Sequence, residues 1–137
     1  MVRSKKTVSY NMSRIRSEGT KLEVKLEELL NQINPVYVKH PKLYGKPDFA
    51  YLDAKIAIFA DSEFWHGHDW ENKKSELKTN QEFWIKKIER NMQRDREVTA
   101  ELQKEGWTVI RLWGRDILKN PEKCKVLIGE ALKMSGY

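Results

Sequence analysis

Apolar residues recur at helical spacing through Leu22, Leu26, Leu29 and Leu30, so the pattern predicts a helix over residues 20–30. Thr20 and Glu23 stand in the T-x-x-E order of a capping box, and Asn34-Pro35 closes the helical region. Val36–His40 then predicts a short strand and Pro41–Lys46 a loop. Pro47–Tyr51 and Lys55–Ala60 predict two further strands, and the tight Leu52-Asp53-Ala54 connection predicts that they pair as a hairpin. The second of these is nearly all apolar, as a central strand covered on both faces requires. Asp61–Asn80 shows no period and reads as a long loop. Gln81–Glu105 predicts a long helix stopped by Gly106, Trp107–Trp113 a strand, and Pro121–Met134 a final helix. The resulting order is helix, three strands, helix, strand, helix.

Composition narrows the class. The 137 residues suit one domain with one core, 39% hydrophobic and 34% charged. Residues 1–11 are polar, basic and aperiodic and read as a flexible tail, which leaves 12–137 as the domain. No apolar run is long enough to span a bilayer, and no apolar stretch follows the basic start as in a secretory leader, so the expectation is a cytoplasmic protein. The single cysteine, Cys124, forms neither an internal disulfide nor a thiolate metal cage. A net charge of +6 and a pI near 9.4 favour polyanion partners, since cations that neutralise phosphates release counterions.

The candidate chemistry is acidic. Asp48 follows Pro47 at the start of a strand, Asp61 ends the next, and Glu63 lies two residues on. In a hairpin, Asp48 and Asp61 become neighbours at one rim of the sheet. Clustered carboxylates repel unless a cation joins them, and oxygen ligands of this kind suit Mg²⁺. The order Pro-Asp, then Asp-x-Glu after a second strand, resembles the PD-(D/E)xK nuclease signature, with Glu63 where the lysine usually stands. The aperiodic segment adds His66 and His68 among Phe64, Trp65 and Trp70, aromatics that either pack inward or meet flat partners such as bases. On the long helix the apolar stripe Ile85, Ile88, Met92 is continued by Asp95, then Thr99 and Leu102. An inward-facing carboxylate needs a partner: His66 is one, and Arg111 or Arg115 is another. Lys86, Arg90 and Arg94 recur every four residues on that helix, beside Lys87, as a solvated face or a phosphate rail.

Together these residues resemble the very-short-patch-repair (Vsr) DNA mismatch endonuclease family. The resemblance runs from Asn11-Met12-Ser13-Arg14-Ile15-Arg16 through Thr20-x-x-Glu23 and Gly45-Lys46-Pro47-Asp48-Phe49 to Phe64-Trp65-His66-Gly67-His68. It continues at Glu82-Phe83-Trp84-Ile85 and Arg94-Asp95-Arg96 and closes at Gly106-Trp107-x-Val109 and Trp113. It implies an α/β, restriction-endonuclease-like (PD-(D/E)xK) fold with a central mixed sheet flanked by helices. It also implies a monomeric, Mg²⁺-dependent enzyme, with Mn²⁺ as a substitute, that nicks double-stranded DNA beside a T·G mismatch. By resemblance Asp48 binds metal, His66 transfers a proton, and Asp95 and Glu23 are supporting acids. Phe64, Trp65 and Trp84 match aromatics that wedge into the duplex, and Lys46, Lys86, Lys87, Arg90 and Arg94 are the expected DNA contacts. Relatives also carry a structural zinc; the matching positions here are Glu63, His68, Trp70 and Arg115, so no zinc is expected. Asp61 stands where relatives often have a histidine, which makes it, with Glu63, an additional candidate metal ligand. That departure leaves cutting of unmismatched DNA, or DNA binding without turnover, as alternative readings.

Overall fold

The computed structural model describes residues 21–76 and 80–136, so the expectations for the 1–11 tail and for the Thr20 capping box lie outside the described residues. Helix α1 covers residues 21–33. Strands β1 (Val38–Lys39), β2 (Phe49–Tyr51) and β3 (Ile56–Asp61) follow. Two short helices, α2 (Glu63–His66) and α3 (Trp70–Lys73), and a 3-10 turn at Lys74–Glu76 lead to the long helix α4 (Gln81–Lys104). Strand β4 (Thr108–Trp113) and helices α5 (Gly114–Lys119) and α6 (Pro121–Met134) complete the chain.

The strands form one mixed sheet in the order β1-β2-β3-β4. β2 and β3 pair antiparallel with Phe49 opposite Ile58, which is the expected hairpin. β3 and β4 pair in parallel, from Ile56 opposite Thr108 to Asp61 opposite Trp113. A parallel pair needs a crossover, and α4 lies within it. Side-chain alternation then sorts the residues between two layers. Phe49, Tyr51, Ile56, Ile58 and Leu112 pack with Leu26, Leu29 and Leu30 of α1, Ile117 of α5 and Cys124, Ile128 and Leu132 of α6. On the other face Ala57 and Phe59 pack against Val98 and Leu102 of α4. Asp61 has the parity of Ala57 and Phe59, and Arg111 is the register partner of Phe59, so both belong to the α4 face.

Residues 61–76 differ from the expected uninterrupted loop. Helices α2 and α3 are each four residues long, too short to show a helical period in a window of sequence. Strand β1 is shorter than Val36–His40, and β3 runs one residue past Ala60 to include Asp61.

The loop that delivers Asp48 is held against α4 at Gly45. Its φ is +80°, and a Cβ there would overlap the Val98 side chain. Gly45→Ala is expected to destabilise the protein by about 2–4 kcal/mol, combining left-handed backbone strain with overpacking. Urea denaturation measures the loss, and adding Val98→Ala should recover part of it if the contact is the cause.

Candidate active site

A cavity of about 420 Å³ on the α4 face collects most of the candidate residues. It is lined by Asp48 at the head of β2, Asp61 of β3, Trp65 and His66 of α2, Asp95 of α4 and Arg111 of β4.

Asp48 is held on both sides by the sheet. Its N–H donates to the Ile58 carbonyl at 3.0 Å and its carbonyl accepts from the His40 N–H at 2.9 Å. One carboxylate oxygen, Oδ2, accepts the Ala60 N–H at 2.7 Å. Glu23 of α1 crowds the same carboxyl, and its Oε2 lies 3.3 Å from His40 Nε2. One oxygen or nitrogen from each of Glu23, His40 and Asp48 falls within 4.8 Å of the others. Burial pushes the Asp48 carboxyl up, to about 6; the Ala60 hydrogen bond opposes this, and the negative charges of Glu23 and Asp61 add to it. Two crowded carboxyls beside an imidazole fit a divalent cation with a preference for oxygen ligands.

His66 lies between two other acids. Its Nδ1 is 2.5 Å from Asp95 Oδ2, and its Nε2 is 3.8 Å from Asp61 Oδ1. An ionised carboxylate only accepts, so Nδ1 carries the proton toward Asp95 and Nε2 is the nitrogen left for chemistry. Burial alone would lower the His66 pKa; the Asp95 hydrogen bond and the charges of Asp61 and Asp95 outweigh it, and the net shift is upward. Arg111 partners both acids: Nη1 is 3.2 Å from Asp61 Oδ2 and 3.6 Å from Asp95 Oδ1. Of the three partners considered for Asp95, namely His66, Arg111 and Arg115, the first two are engaged.

Aromatic and cationic side chains border the cavity. Trp65 and Trp84 meet edge to face with centroids 5.8 Å apart, and Phe83, 58% exposed, extends the row at 5.1 Å from Trp84. Lys87 Nζ sits 5.4 Å from the Trp65 ring centroid. Lys46, Lys87 and Arg94 line the cavity, whereas Lys86 and Arg90 are exposed on α4 outside its lining. The cavity face of the helix is thus Lys87, Asn91 and Arg94 rather than the expected Lys86, Arg90 and Arg94 row. The expectation for the Phe64 side chain lies outside what the structure describes.

Two expected metal ligands have partners other than Asp48. Glu63 does not join Asp48: its Oε2 accepts the Arg115 N–H at 2.8 Å, where the first turn of α5 leaves donors unsatisfied. Asp61 lines the same cavity as Asp48; its carboxylate is engaged by Arg111 and falls within 4.8 Å of ligand atoms of His66 and Asp95, while Asp48 groups with Glu23 and His40. At the other positions matched to a zinc site, Trp70 is buried with Nε1 donating to Glu89 at 2.9 Å, and the His68 ring packs edge-on against Trp113 at 4.7 Å.

Two residues of the site, His40 and Asn91, were not singled out, and a third, Arg111, was named only as a possible partner of Asp95. His40 reads as an ordinary strand end before Pro41. Asn91 holds the Trp65 carbonyl at 3.1 Å from a position that looks like a polar helix surface. Arg111 offered the clearest signal, a single cation inside the apolar run Trp-Thr-Val-Ile-Arg-Leu-Trp.

The family model described as DNA mismatch endonuclease Vsr matches residues 2–72. A type II nicking enzyme, V.NmeDIP, from Neisseria meningitidis serogroup C is 46% identical over 119 residues, covering 86% of this chain and 80% of the relative. The type II nicking enzyme V.HpaIIP from Haemophilus parainfluenzae is 45% identical over 118 residues, 85% of this chain and 84% of its own length. The DNA mismatch endonuclease Vsr of Escherichia coli (strain K12) is 36% identical over 113 residues, 82% of this chain and 72% of its own.

The raised Asp48 pKa has a stability consequence. Because the folded value of about 6 exceeds the ordinary 3.8, the folded state holds this proton more tightly than the unfolded chain. The cost of ionising Asp48 is absent below 3.8, grows between 3.8 and about 6, and is complete above. Asp48→Asn, which keeps an acceptor for the Ala60 N–H, is expected to stabilise the metal-free protein at neutral pH by about 1–3 kcal/mol. Urea titrations at neutral and acid pH should show that gain vanish on acidification; a destabilised neutral-pH variant contradicts it.

Proposed function

The chain belongs to the Vsr family of DNA mismatch endonucleases, and we propose that it is a divalent-metal-dependent enzyme that nicks one strand of duplex DNA beside a T·G mismatch. One observation carries the reading: Asp48, backed by Glu23, shares a single cavity with a His66 whose Nδ1 is held by Asp95. The names of two relatives, type II nicking enzymes, support single-strand cleavage. A mixed sheet covered by α1, α5 and α6 on one face and by α4 on the other supports a restriction-endonuclease-like fold, with residues 12–137 as the endonuclease domain.

Asp48 and Glu23 are the residues that would hold the cation, with His40 beside them. Mg²⁺ suits the two carboxyls, and the imidazole is compatible with Mn²⁺. When bound, the cation supplies positive charge to phosphate oxygens and activates water for phosphodiester hydrolysis. The chain's own residues account for the rest. Lys46 and Arg94 neutralise phosphates at the cavity mouth. His66 holds or moves a proton at Nε2, while Asp95 fixes the ring and raises its basicity. Trp65, Trp84 and the exposed Phe83 offer flat apolar surface to bases opened by a mismatch.

Incubation with Mg²⁺ of otherwise identical T·G and matched duplexes tests the reading. Nicking of the T·G duplex alone is expected, with Asp48→Ala and His66→Ala each slowing it by roughly three orders of magnitude. Equal cleavage of both duplexes removes the mismatch preference and favours an enzyme acting on unmismatched DNA; paired cuts on both strands remove the nickase assignment. Arg94→Ala should lower the slope of log affinity against log salt by about 0.9, the value for one lost phosphate contact.

A further inference from the structure

Arg111 stands in the middle of β4 on the face turned toward α4. Each of its three nitrogens donates inside the protein. Nε donates to Thr99 Oγ1 at 2.8 Å, and Nη2 donates to the Asp95 carbonyl at 3.2 Å. Nη1 donates to the two Asp61 oxygens at 3.3 and 3.2 Å and lies 3.6 Å from Asp95 Oδ1. The guanidinium carbon is 4.0 Å from the centroid of the Phe59 ring, its register partner on β3. With each of the three nitrogens engaged and one face covered, four of its five N–H donors are spent inside the protein. It is built to organise the protein around it.

What it organises is the setting of His66. The imidazole lies between the two carboxylates that Arg111 links: Asp95 at Nδ1 and Asp61 at Nε2. From the reading of His66 as the proton-transferring group, on which this rests, we infer that Arg111 is a positioning residue of the nuclease. Its fork locks Asp61 and Asp95 into the arrangement that orients the His66 ring, and Asp61 acts as its counter-ion rather than as a ligand of the metal.

The charge balance follows. His66 is faced by Asp61 from β3, Asp95 from α4 and Arg111 from β4, with Lys87 and Arg94 of α4 lining the same cavity. Without Arg111 the buried Asp61 keeps His66 as its nearest counter-charge, so the ring binds its proton more tightly. Without both, the excess negative charge is gone and the ring relaxes toward its original affinity. Lysine retains the positive charge but is a point donor on a flexible stem. It does not reach Thr99, Asp61 and the Asp95 carbonyl at once.

The test uses the full chain and four proteins: wild type, Arg111→Lys, Arg111→Met, and Arg111→Met with Asp61→Asn. Arg111→Lys is expected to keep wild-type affinity for the T·G duplex, measured without metal, while kcat falls on the order of 100-fold, as misorientation of a reacting group predicts. The double variant should regain at least about tenfold over Arg111→Met, a coupling expected only of a direct charge pair. NMR titration of the His66 ring should give a higher pKa in Arg111→Met than in wild type and a value close to wild type in the double variant. Wild-type kcat in Arg111→Lys overturns the proposal, as does a loss confined to DNA affinity, which marks a phosphate contact instead. An unmoved His66 titration in Arg111→Met also overturns it. If Arg111→Met fails to fold, the kcat and affinity of Arg111→Lys decide alone. A wild-type chain that cleaves no duplex defeats the nuclease reading, while the ring titration still decides whether Arg111 governs His66.

Discussion

The polar contact between β3, β4 and α4 is the constraint on which the rest of the structure depends. Asp61 has a side-chain exposure of only 7%, and an ionised carboxylate at that depth is costly unless it is paired. Burial pushes its pKa up, and His66 and Arg111 pull it back. The pairing also fixes topology. β3 and β4 are parallel and share no tight turn to set their register, so side chains must set it. A one-residue slip of β4 would turn Arg111 into the layer of Leu26, Tyr51 and Ile128 and leave Asp61 facing an apolar residue. The same guanidinium binds Thr99 and the Asp95 carbonyl, which also fixes how α4 is rotated over the sheet.

The two acidic groups in and beside the cavity have different electrostatic fates. Asp61 and Asp95 share a guanidinium and an imidazole, so their charges are largely answered within the protein. Asp48 has a backbone N–H and a neighbouring carboxyl, Glu23, whose charge raises its pKa further. Among the described residues, His40 brings basic character to that second group, through Glu23. A cation therefore gains more at Asp48 and Glu23 than at Asp61 and Asp95, where it would compete with Arg111. Net repulsion at one carboxylate group and paired charges at the other set the two groups apart, as the proposed division between metal binding and proton transfer requires.

Much of this was legible in the sequence, and the exceptions share a cause. Long periodic segments such as α4 and α6, and the β2–β3 hairpin, follow from local pattern because burial repeats along them. The acid on the apolar stripe of α4 pointed to an inward Asp95, and two of its three candidate partners, His66 and Arg111, are present. The short helices α2 and α3 escaped because four residues hold no period. Glu63 and Asp61 were read as neighbours of Asp48 because a hairpin brings strand ends together. Local spacing is blind to β4 and α5, which arrive about fifty residues later and capture Asp61 through Arg111 and Glu63 through the Arg115 N–H. His40 was missed for a similar reason: what marks it is Glu23, from a different element.

The segment that carries His66 shows how position is achieved without a long scaffold. A four-residue helix has no stability of its own, since nucleation costs more than one turn returns. Helix α2 is held from outside at several points. Glu63 ties its start to α5, and Trp70 beyond its end donates to Glu89 of α4. Gly67 closes the helix at a φ of +70° in contact with Met92, where a Cβ would overlap the methionine. Asn91 and Asp95, one turn apart on α4, then hold adjacent residues of α2: Asn91 grips the Trp65 carbonyl and Asp95 the His66 ring. Trp65, whose ring meets Trp84 and Lys87, and His66 are therefore fastened to one rail. Under the proposed function, a base that displaces Trp65 would be felt at His66 across a single peptide link, coupling DNA contact to proton transfer.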